Sequence, residues 1–95
     1  MTRAEIEVTV TNEKGLHLKP AHAVVNLASK FKCRILLGRD GQMVDAKSTL
    51  GLLALGAPKG DMLRIEAVGE DAGEAIRALA GLFERGFDEE AGEDA

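Results

Sequence analysis

Hydrophobic and polar side chains alternate in three stretches of the chain, residues 4–10, 33–37 and 63–67. Because successive side chains of a β-strand point to opposite faces, each stretch predicts a strand with one buried face. Residues 38–41, Gly-Arg-Asp-Gly, follow the second strand and are typical of a hairpin turn, since Asp-Gly tolerates positive φ. Residues 42–45 are then expected to form a short strand that returns beside the second.

Three further stretches have hydrophobic residues at helical spacing. In residues 18–30 the apolar positions recur every three to four residues, which places them on one face of a helix. Ser48 precedes a shorter apolar run, and serine is a preferred N-cap because its hydroxyl accepts a hydrogen bond from the first turn. Asp71 and Glu74 fit a capping box ahead of a third helix, with Asp71 as the N-cap, and Gly86 is suited to closing that helix.

The predicted element order is βαββαβα, and every helix is apolar on one side only. One amphipathic sheet covered on one face by helices satisfies this pattern, which makes the fold class α+β. The other sheet face is expected to meet water, and it carries Glu5, Glu7, Arg34, Arg64 and Glu66. With 95 residues the chain is expected to form one domain over residues 1–87. Residues 88–95 are expected to be a disordered acidic tail.

Composition and charge exclude several classes of function. The chain has 12 Lys and Arg against 16 Asp and Glu, but the acidic excess is concentrated in residues 88–95. It has three Phe and no Trp or Tyr, and its basic residues are scattered, so a nucleic-acid partner is not expected. We expect no signal peptide, because the alternating strand pattern follows directly after the first three residues. We expect no membrane span, because the longest apolar stretch, residues 50–58, is short. The protein is therefore expected to be cytoplasmic.

The candidate chemistry lies at the start of the first helix. His17 comes just ahead of Pro20, in a position where backbone N–H groups and the helix dipole favour an anion, and Lys19 adds a cation. From position alone, His17 is either an ordinary capping residue or a nucleophile beside a phosphate-binding helix start. His22 is five residues further on and lacks the i, i+4 spacing of a helical metal site. The single cysteine, Cys33, excludes an internal disulfide and is expected to be a small core residue. With one cysteine and no helical pair of histidines, we predict no metal site.

Residues 15–21, Gly-Leu-His-Leu-Lys-Pro-Ala, resemble the active-site signature of the HPr family, Gly-(Leu/Ile/Met)-His-x-Arg-Pro-Ala. HPr proteins are the histidine-containing phosphocarriers of the bacterial phosphoenolpyruvate-dependent phosphotransferase system. Residues 46–53, Ala-Lys-Ser-Thr-Leu-Gly-Leu-Leu, are similar to the family's regulatory-serine segment. The likeness extends over residues 4–87 in the same element order. It implies a four-stranded antiparallel sheet with three helices on one face, in a carrier that is not itself an enzyme and needs no cofactor.

The resemblance also implies roles for individual residues. His17 would accept a phosphoryl group through Nδ1 from phosphorylated enzyme I and pass it to IIA domains of a sugar-uptake or a regulatory, nitrogen-type branch. The backbone N–H groups of Leu18 and Lys19, and the Lys19 side chain, would contact the phosphate. Ser48 would be a regulatory phosphorylation site for an HPr kinase/phosphorylase. The surface that meets the partners would include His22, Asn26, Leu50 and Leu53, and a monomer is the simplest expectation.

Two departures from the family signature affect this interpretation. Lys19 stands where the family has arginine, so its contacts to phosphate are expected to be less well oriented, and Leu18 replaces a small residue. An alternative function is a non-catalytic HPr-like regulatory module controlled through phosphorylation of Ser48. A small phosphate-ester hydrolase of the acylphosphatase type is disfavoured, because the loop after the first strand offers Lys14 and no arginine.

Overall fold

Strands and helices follow one another in the predicted order in the computed structural model, which describes residues 2–88. The strands are β1 (Arg3–Thr9), β2 (Arg34–Arg39), β3 (Gln42–Asp45) and β4 (Met62–Val68). The helices are α1 (Leu18–Ala28), α2 (Thr49–Leu55) and α3 (Ala72–Glu84), and a 3₁₀ turn, Gly86–Asp88, follows α3. Helix α1 ends two residues before the predicted limit, with Ser29 as its C-cap.

The four strands form one antiparallel sheet in the order β1-β4-β2-β3. Strand β4 fills the place between β1 and β2, where Ile65 pairs with Ile6 on one side and with Leu37 on the other. The β2–β3 hairpin turns at Asp40 and Gly41, and Gly41 has the positive φ of 83° that such a turn requires. The predicted fold class and the predicted hairpin are confirmed.

The hydrophobic core lies between the sheet and the helices. Alternate residues of the central strands supply one side of the core, and Ile35, Leu37 and Ile65 are each about 1% exposed. Leu79 and Phe83 of α3 close the other side at the same exposure. The buried and exposed positions of the strands therefore follow the alternation in the sequence.

The outer face of the sheet carries charged side chains, as expected. Arg64 donates to Glu66 at 2.8 Å and to Asp40 at 2.9 Å, and its guanidinium lies 3.8 Å from the Glu5 carboxylate. Such exposed pairs add little stability individually. They keep this face polar and leave the opposite face to the helices.

The capping box predicted at Asp71 is wrong, although Asp71 does precede α3. Its carboxylate accepts hydrogen bonds from the backbone N–H groups of Lys32 at 2.8 Å and Cys33 at 2.9 Å and makes no capping bond to α3 within the described chain. The backbone of Asp71 (φ −101°, ψ 23°) departs from the extended geometry that aims an N-cap side chain at its own helix. These hydrogen bonds, that of Lys32 foremost, lower the pKa of Asp71.

Helix α3 ends just before Gly86, whose φ of 65° is consistent with the predicted closure.

Cys33 is buried, as predicted. Burial raises the pKa of its thiol, and the neighbouring Asp71 carboxylate raises it further. A raised pKa keeps the thiol protonated and unreactive, which fits a packing role. The predicted acidic tail extends beyond the described residues from Glu89 onward.

Candidate functional site

The loop that leads to His17 is fastened to the loop between α2 and β4. Val10 donates to the carbonyl of Asp61 at 2.9 Å and accepts from the N–H of Gly60 at 2.8 Å. Further along, the N–H of Leu16 donates to the carbonyl of Ala57 at 2.8 Å. Backbone hydrogen bonds at both ends of the loop therefore fix its path without help from a regular element.

Gly15 lies at the tightest point of this contact. Its φ is 71°, and a Cβ built on it would lie 2.4 Å from the carbonyl oxygen of Ala57. Both the backbone angle and the close approach require glycine here. The N–H of Gly15 bonds to the carbonyl of Asn12 at 3.1 Å, and the Asn12 amide donates back to the carbonyl of Gly15 at 2.6 Å. The glycine of the signature thus brings the loop close to Ala57 just before His17.

His17 is the N-cap of α1. Its backbone is extended (φ −87°, ψ −168°), and its carbonyl accepts the first helical hydrogen bond, from Ala21 at 2.9 Å. Within the described chain its imidazole makes no capping bond to the helix. The ring is half-buried, and Nε2 is shielded from solvent. The position predicted for His17 at the start of the first helix is therefore confirmed.

The first turn of α1 presents the positive end of the helix dipole. The N–H groups of Leu18 and Lys19 precede the first i→i−4 bond, and Pro20 has no N–H to satisfy. The turn contains lysine and no acidic residue. An anion placed near the His17 ring would therefore meet favourable charge from the helix end and from the Lys19 side chain.

An open groove of about 300 Å³ lies beside the histidine. Its lining comprises Lys14, Leu16, His17, Leu53, Gly56, Ala57 and Pro58. The groove is shallow and joins the His17 loop to the end of α2. A site of this shape cannot enclose a small substrate, but another protein surface could complete it.

The predicted contact residues lie on the two helices around this groove. His22 and Asn26 are exposed on α1, which packs against α2. Leu50 is 80% exposed and Leu53 is 37% exposed on α2, while Leu18 at the start of α1 is 52% exposed. Of the predicted residues, His17 and Leu53 line the same groove. The others lie outside its lining: Leu18, Lys19, His22, Asn26, Ser48 and Leu50. Exposed leucines rimmed by polar residues are typical of a protein-binding surface.

Ser48 is the N-cap of α2, as predicted. Its Oγ accepts a hydrogen bond from the N–H of Gly51 at 3.1 Å, and its backbone is extended (φ −116°, ψ 113°). The adjacent Lys47 has a role that sequence analysis missed. Its ammonium donates to the carbonyls of Phe31 at 2.7 Å and Cys33 at 2.9 Å, which ties the start of α2 to the loop before β2.

Sequence analysis also missed the wall formed by Gly56, Ala57 and Pro58 and the place of Lys14 in the groove. Gly56, Ala57 and Pro58 reach the His17 loop through long-range contacts that no local pattern marks, whereas Lys14 is three positions from His17 in sequence. Across residues 2–88 there is no group of three or more His, Cys, Asp and Glu that could hold a metal ion. Over the same residues, no helix is both long and apolar enough to span a membrane.

Comparisons with known proteins show the family and support the fold. Residues 4–85 match the family described as PTS HPr component phosphorylation site. The phosphocarrier protein HPr of Xylella fastidiosa is 41% identical over 86 residues, which cover 90% of this chain and 97% of that protein. The phosphocarrier protein NPr of Escherichia coli is 38% identical over 84 residues, which cover 87% and 93%. The crystal structure of HPr-C-His from Thermoanaerobacter tengcongensis aligns with a TM-score of 0.87 at 40% identity and covers 92% of this chain and 98% of that one.

Proposed function

The chain belongs to the HPr family of phosphotransferase-system phosphocarriers, and we propose that it carries its phosphoryl group on His17 as Nδ1-phosphohistidine. A carrier of this kind is loaded and unloaded by its partners and does not itself turn over a substrate. The observation that supports His17 most directly is its place as the N-cap of α1 with Nε2 shielded from solvent. Because Nε2 is shielded from solvent, we assign the bond to phosphorus to the other ring nitrogen, Nδ1.

The loading step is a displacement at phosphorus. The Nδ1 lone pair of His17 attacks the phosphoryl group of a phosphohistidine on enzyme I, so that an Nδ1–P bond forms as the donor's N–P bond breaks. The leaving imidazole of enzyme I keeps the bonding electron pair. When the donor ring carries a proton on its other nitrogen, it leaves as a neutral imidazole, and the phosphorylated His17 ring takes over the positive charge while it keeps the proton on its shielded Nε2. Unloading to a IIA domain is the same exchange with His17 as the leaving group.

The start of α1 stabilises the phosphoryl group once it is on the ring. The N–H groups of Leu18 and Lys19 and the dipole of the helix favour the oxygens of a dianion. The Lys19 ammonium adds a point charge, which lacks the two-pronged fork of a guanidinium. We expect this arrangement to hold the phosphate with fewer oriented contacts than an arginine would provide.

Partners complete the transfer site. The groove is open, so an incoming surface of enzyme I or of a IIA domain can exclude water from the phosphoryl group and supply its remaining contacts. The exposed Leu50 and Leu53 of α2, with His22 and Asn26 of α1, are the proposed docking surface for both partners. Serving two partners in turn through one surface favours a monomer. The recipient belongs to the sugar-uptake or the nitrogen-type branch.

Intact-mass spectrometry after incubation with phosphoenolpyruvate and enzyme I tests this proposal. We expect one phosphoryl group, labile in mild acid, on the wild-type chain and on the His22→Ala variant, and none on His17→Ala. His22→Ala is the matched control because His22 is the other histidine of the chain, and the label is read after complete reaction, so that slower docking through the proposed surface does not change it. Acid-labile label on His17→Ala, or its loss from His22→Ala alone, would show that the acceptor is misassigned. Offering the loaded protein to IIA domains of each branch then identifies the recipient.

A second proposed function is regulation through Ser48, which the exposed leucines of α2 favour. Ser48 caps the helix that presents Leu50 and Leu53, so a phosphate there would add about two negative charges beside an apolar docking surface. Incubation with an HPr kinase/phosphorylase and ATP should give acid-stable phosphate on the wild type and none on Ser48→Ala. Absence of label on both chains, alongside a labelled control carrier, would reject this function.

A further inference from the structure

Lys14 occupies a fixed place next to His17. It belongs to the turn from Asn12 to Gly15, which is closed by bonds of 3.1 Å and 2.6 Å between the two end residues. Lys14 lies three positions before His17, so their Cα atoms lie no more than about 11 Å apart. The N–H of His17 bonds to the carbonyl of Gly15 at 2.9 Å, which shortens that path further. Lys14 and His17 line the same groove.

The charges around the groove favour an anion in it. The acidic neighbour of Lys14 in the turn, Glu13, accepts a hydrogen bond from Lys59 at 3.0 Å, so its charge is balanced from the other loop. After His17 along the chain, the first turn of α1 carries Lys19 and no acidic residue. His17 is thus flanked in sequence by a lysine of the turn and a lysine of the helix, both exposed, of which Lys14 lines the groove.

We propose that Lys14 is a second phosphate-binding residue, which acts with Lys19 as a two-lysine clamp on the phosphoryl group of His17. This inference rests on the proposed role of His17. A single ammonium is a point charge, so it cannot reproduce the two parallel hydrogen bonds of a guanidinium. A second ammonium approaching from the turn supplies the missing contact from another direction. Lysine at position 19 and lysine at position 14 then form one functional unit.

The charge of Lys14 could instead serve the docking of an acidic surface on the protein donor. The two roles differ in what they require, because a phosphate contact acts with any phosphoryl donor and a docking contact acts only with a protein. Phosphoramidate is a small donor that transfers its phosphoryl group to imidazole with release of ammonia. Its use removes enzyme I from the measurement.

The experiment compares the rate of His17 phosphorylation by phosphoramidate, and the lifetime of the phosphohistidine, across five variants, Lys19→Gln among them. We expect Lys14→Gln to lower the rate about fivefold, as loss of an exposed charge contact would. Lys14→Arg should restore the rate, and Lys14→Gln should also reduce its dependence on ionic strength. Lys30→Gln is the matched control, since Lys30 is exposed at the far end of α1. The double variant Lys14→Gln/Lys19→Gln should be slower than either single variant.

Three outcomes would overturn the inference. If Lys14→Gln matches Lys30→Gln with phosphoramidate, Lys14 does not contact the phosphate. If Lys14→Gln is slow only with enzyme I, its charge serves the protein donor. If Lys14→Gln is slow but Lys14→Arg does not recover and thermal unfolding shows both destabilised, the role is structural. Failure of the proposed function looks different, because the wild type would then gain no acid-labile phosphate from either donor.

Discussion

The two helix starts around the site, at His17 and at Ser48, are built in opposite ways. In α2 the Ser48 side chain accepts the N–H of Gly51 at 3.1 Å, which satisfies a donor of the first turn from within the chain. In α1 the imidazole of His17 makes no such capping bond within residues 2–88. Both residues share the extended N-cap backbone, so the difference lies in the side chain alone.

This contrast separates a helix start that is capped by its own N-cap side chain from one whose N-cap side chain makes no capping bond among the described residues. A phosphoryl group added at His17 meets the positive end of α1 without displacing a side-chain cap. A phosphoryl group added at Ser48 changes the oxygen that already caps α2. Loading at His17 should therefore leave the fold unchanged, whereas chemistry at Ser48 acts on the stability of α2 as well as on its surface.

The largest predicted effect tests whether the close contact between Gly15 and Ala57 positions His17 at the start of α1. Gly15→Ala forces a Cβ to within 2.4 Å of the Ala57 carbonyl oxygen at a φ of 71°. We expect it to lower the free energy of unfolding by about 3 kcal/mol through strain and overlap and to slow phosphoryl acceptance strongly. Urea unfolding and phosphorylation kinetics measure the two effects.

Gly41→Ala is the matched control for this variant. Gly41 also has a positive φ, 83°, but a Cβ there would have nothing within 4 Å. It should therefore cost only the strain of the backbone, about 1 kcal/mol, and leave phosphorylation unchanged. Equal losses of stability in the two variants would mean that the contact with Ala57 does not constrain the loop.

The next prediction sets the two helix starts against each other directly. Ser48→Ala removes the cap of α2 and should lower the free energy of unfolding by about 1 kcal/mol, while His17 still accepts phosphate. His17→Ala should have the smaller effect on stability and abolish acceptance. Urea unfolding of both variants measures their stability, and intact-mass spectrometry measures their phosphorylation. If His17→Ala proves the more destabilising of the two, the imidazole stabilises the helix start and the contrast is wrong.

Much of the fold could be predicted because its signals are local. The alternation in β1, β2 and β4 and the Ser48 cap depend on residues close in sequence, and all are confirmed. The strand order depends on long-range pairing, which periodicity does not encode. The same limit applies to the site, because Gly15 approaches Ala57 from a distant part of the chain. The position of His17 was predictable from the signature, while the groove beside it was not.

Asp71 shows how the local rule for N-caps fails. The sequence after Asp71 predicts a helix cap as well as the sequence after Ser48 does. The carboxylate of Asp71 accepts hydrogen bonds from the N–H groups of Lys32 and Cys33, which belong to the loop between α1 and β2. Either use of the side chain satisfies backbone donors. The choice depends on how closely the loop before β2 approaches, which no pattern around residue 71 records.

The smallest predicted effect concerns Asp71, which precedes helix α3. Backbone hydrogen bonds lower the pKa of Asp71 in the folded chain, so its carboxylate stabilises the fold above the unfolded value of about 3.9. This stabilisation is lost as the pH falls through the lower, folded pKa. Asp71→Asn should therefore be less stable than the wild type at pH 7, and the difference should shrink below about pH 4.

Urea unfolding at several pH values from 7 to 2 measures this difference, with Asp40→Asn as the control. Asp40 is exposed and accepts from the side chain of Arg64 at 2.9 Å, so its loss removes a surface ion pair and no backbone contact. A stability gap between wild type and Asp71→Asn that stays constant across the whole range would show that the carboxylate charge does not hold the loop. A gap that closes on acidification would show that Asp71, unlike Ser48, stabilises the chain by binding a neighbouring loop in place of its own helix.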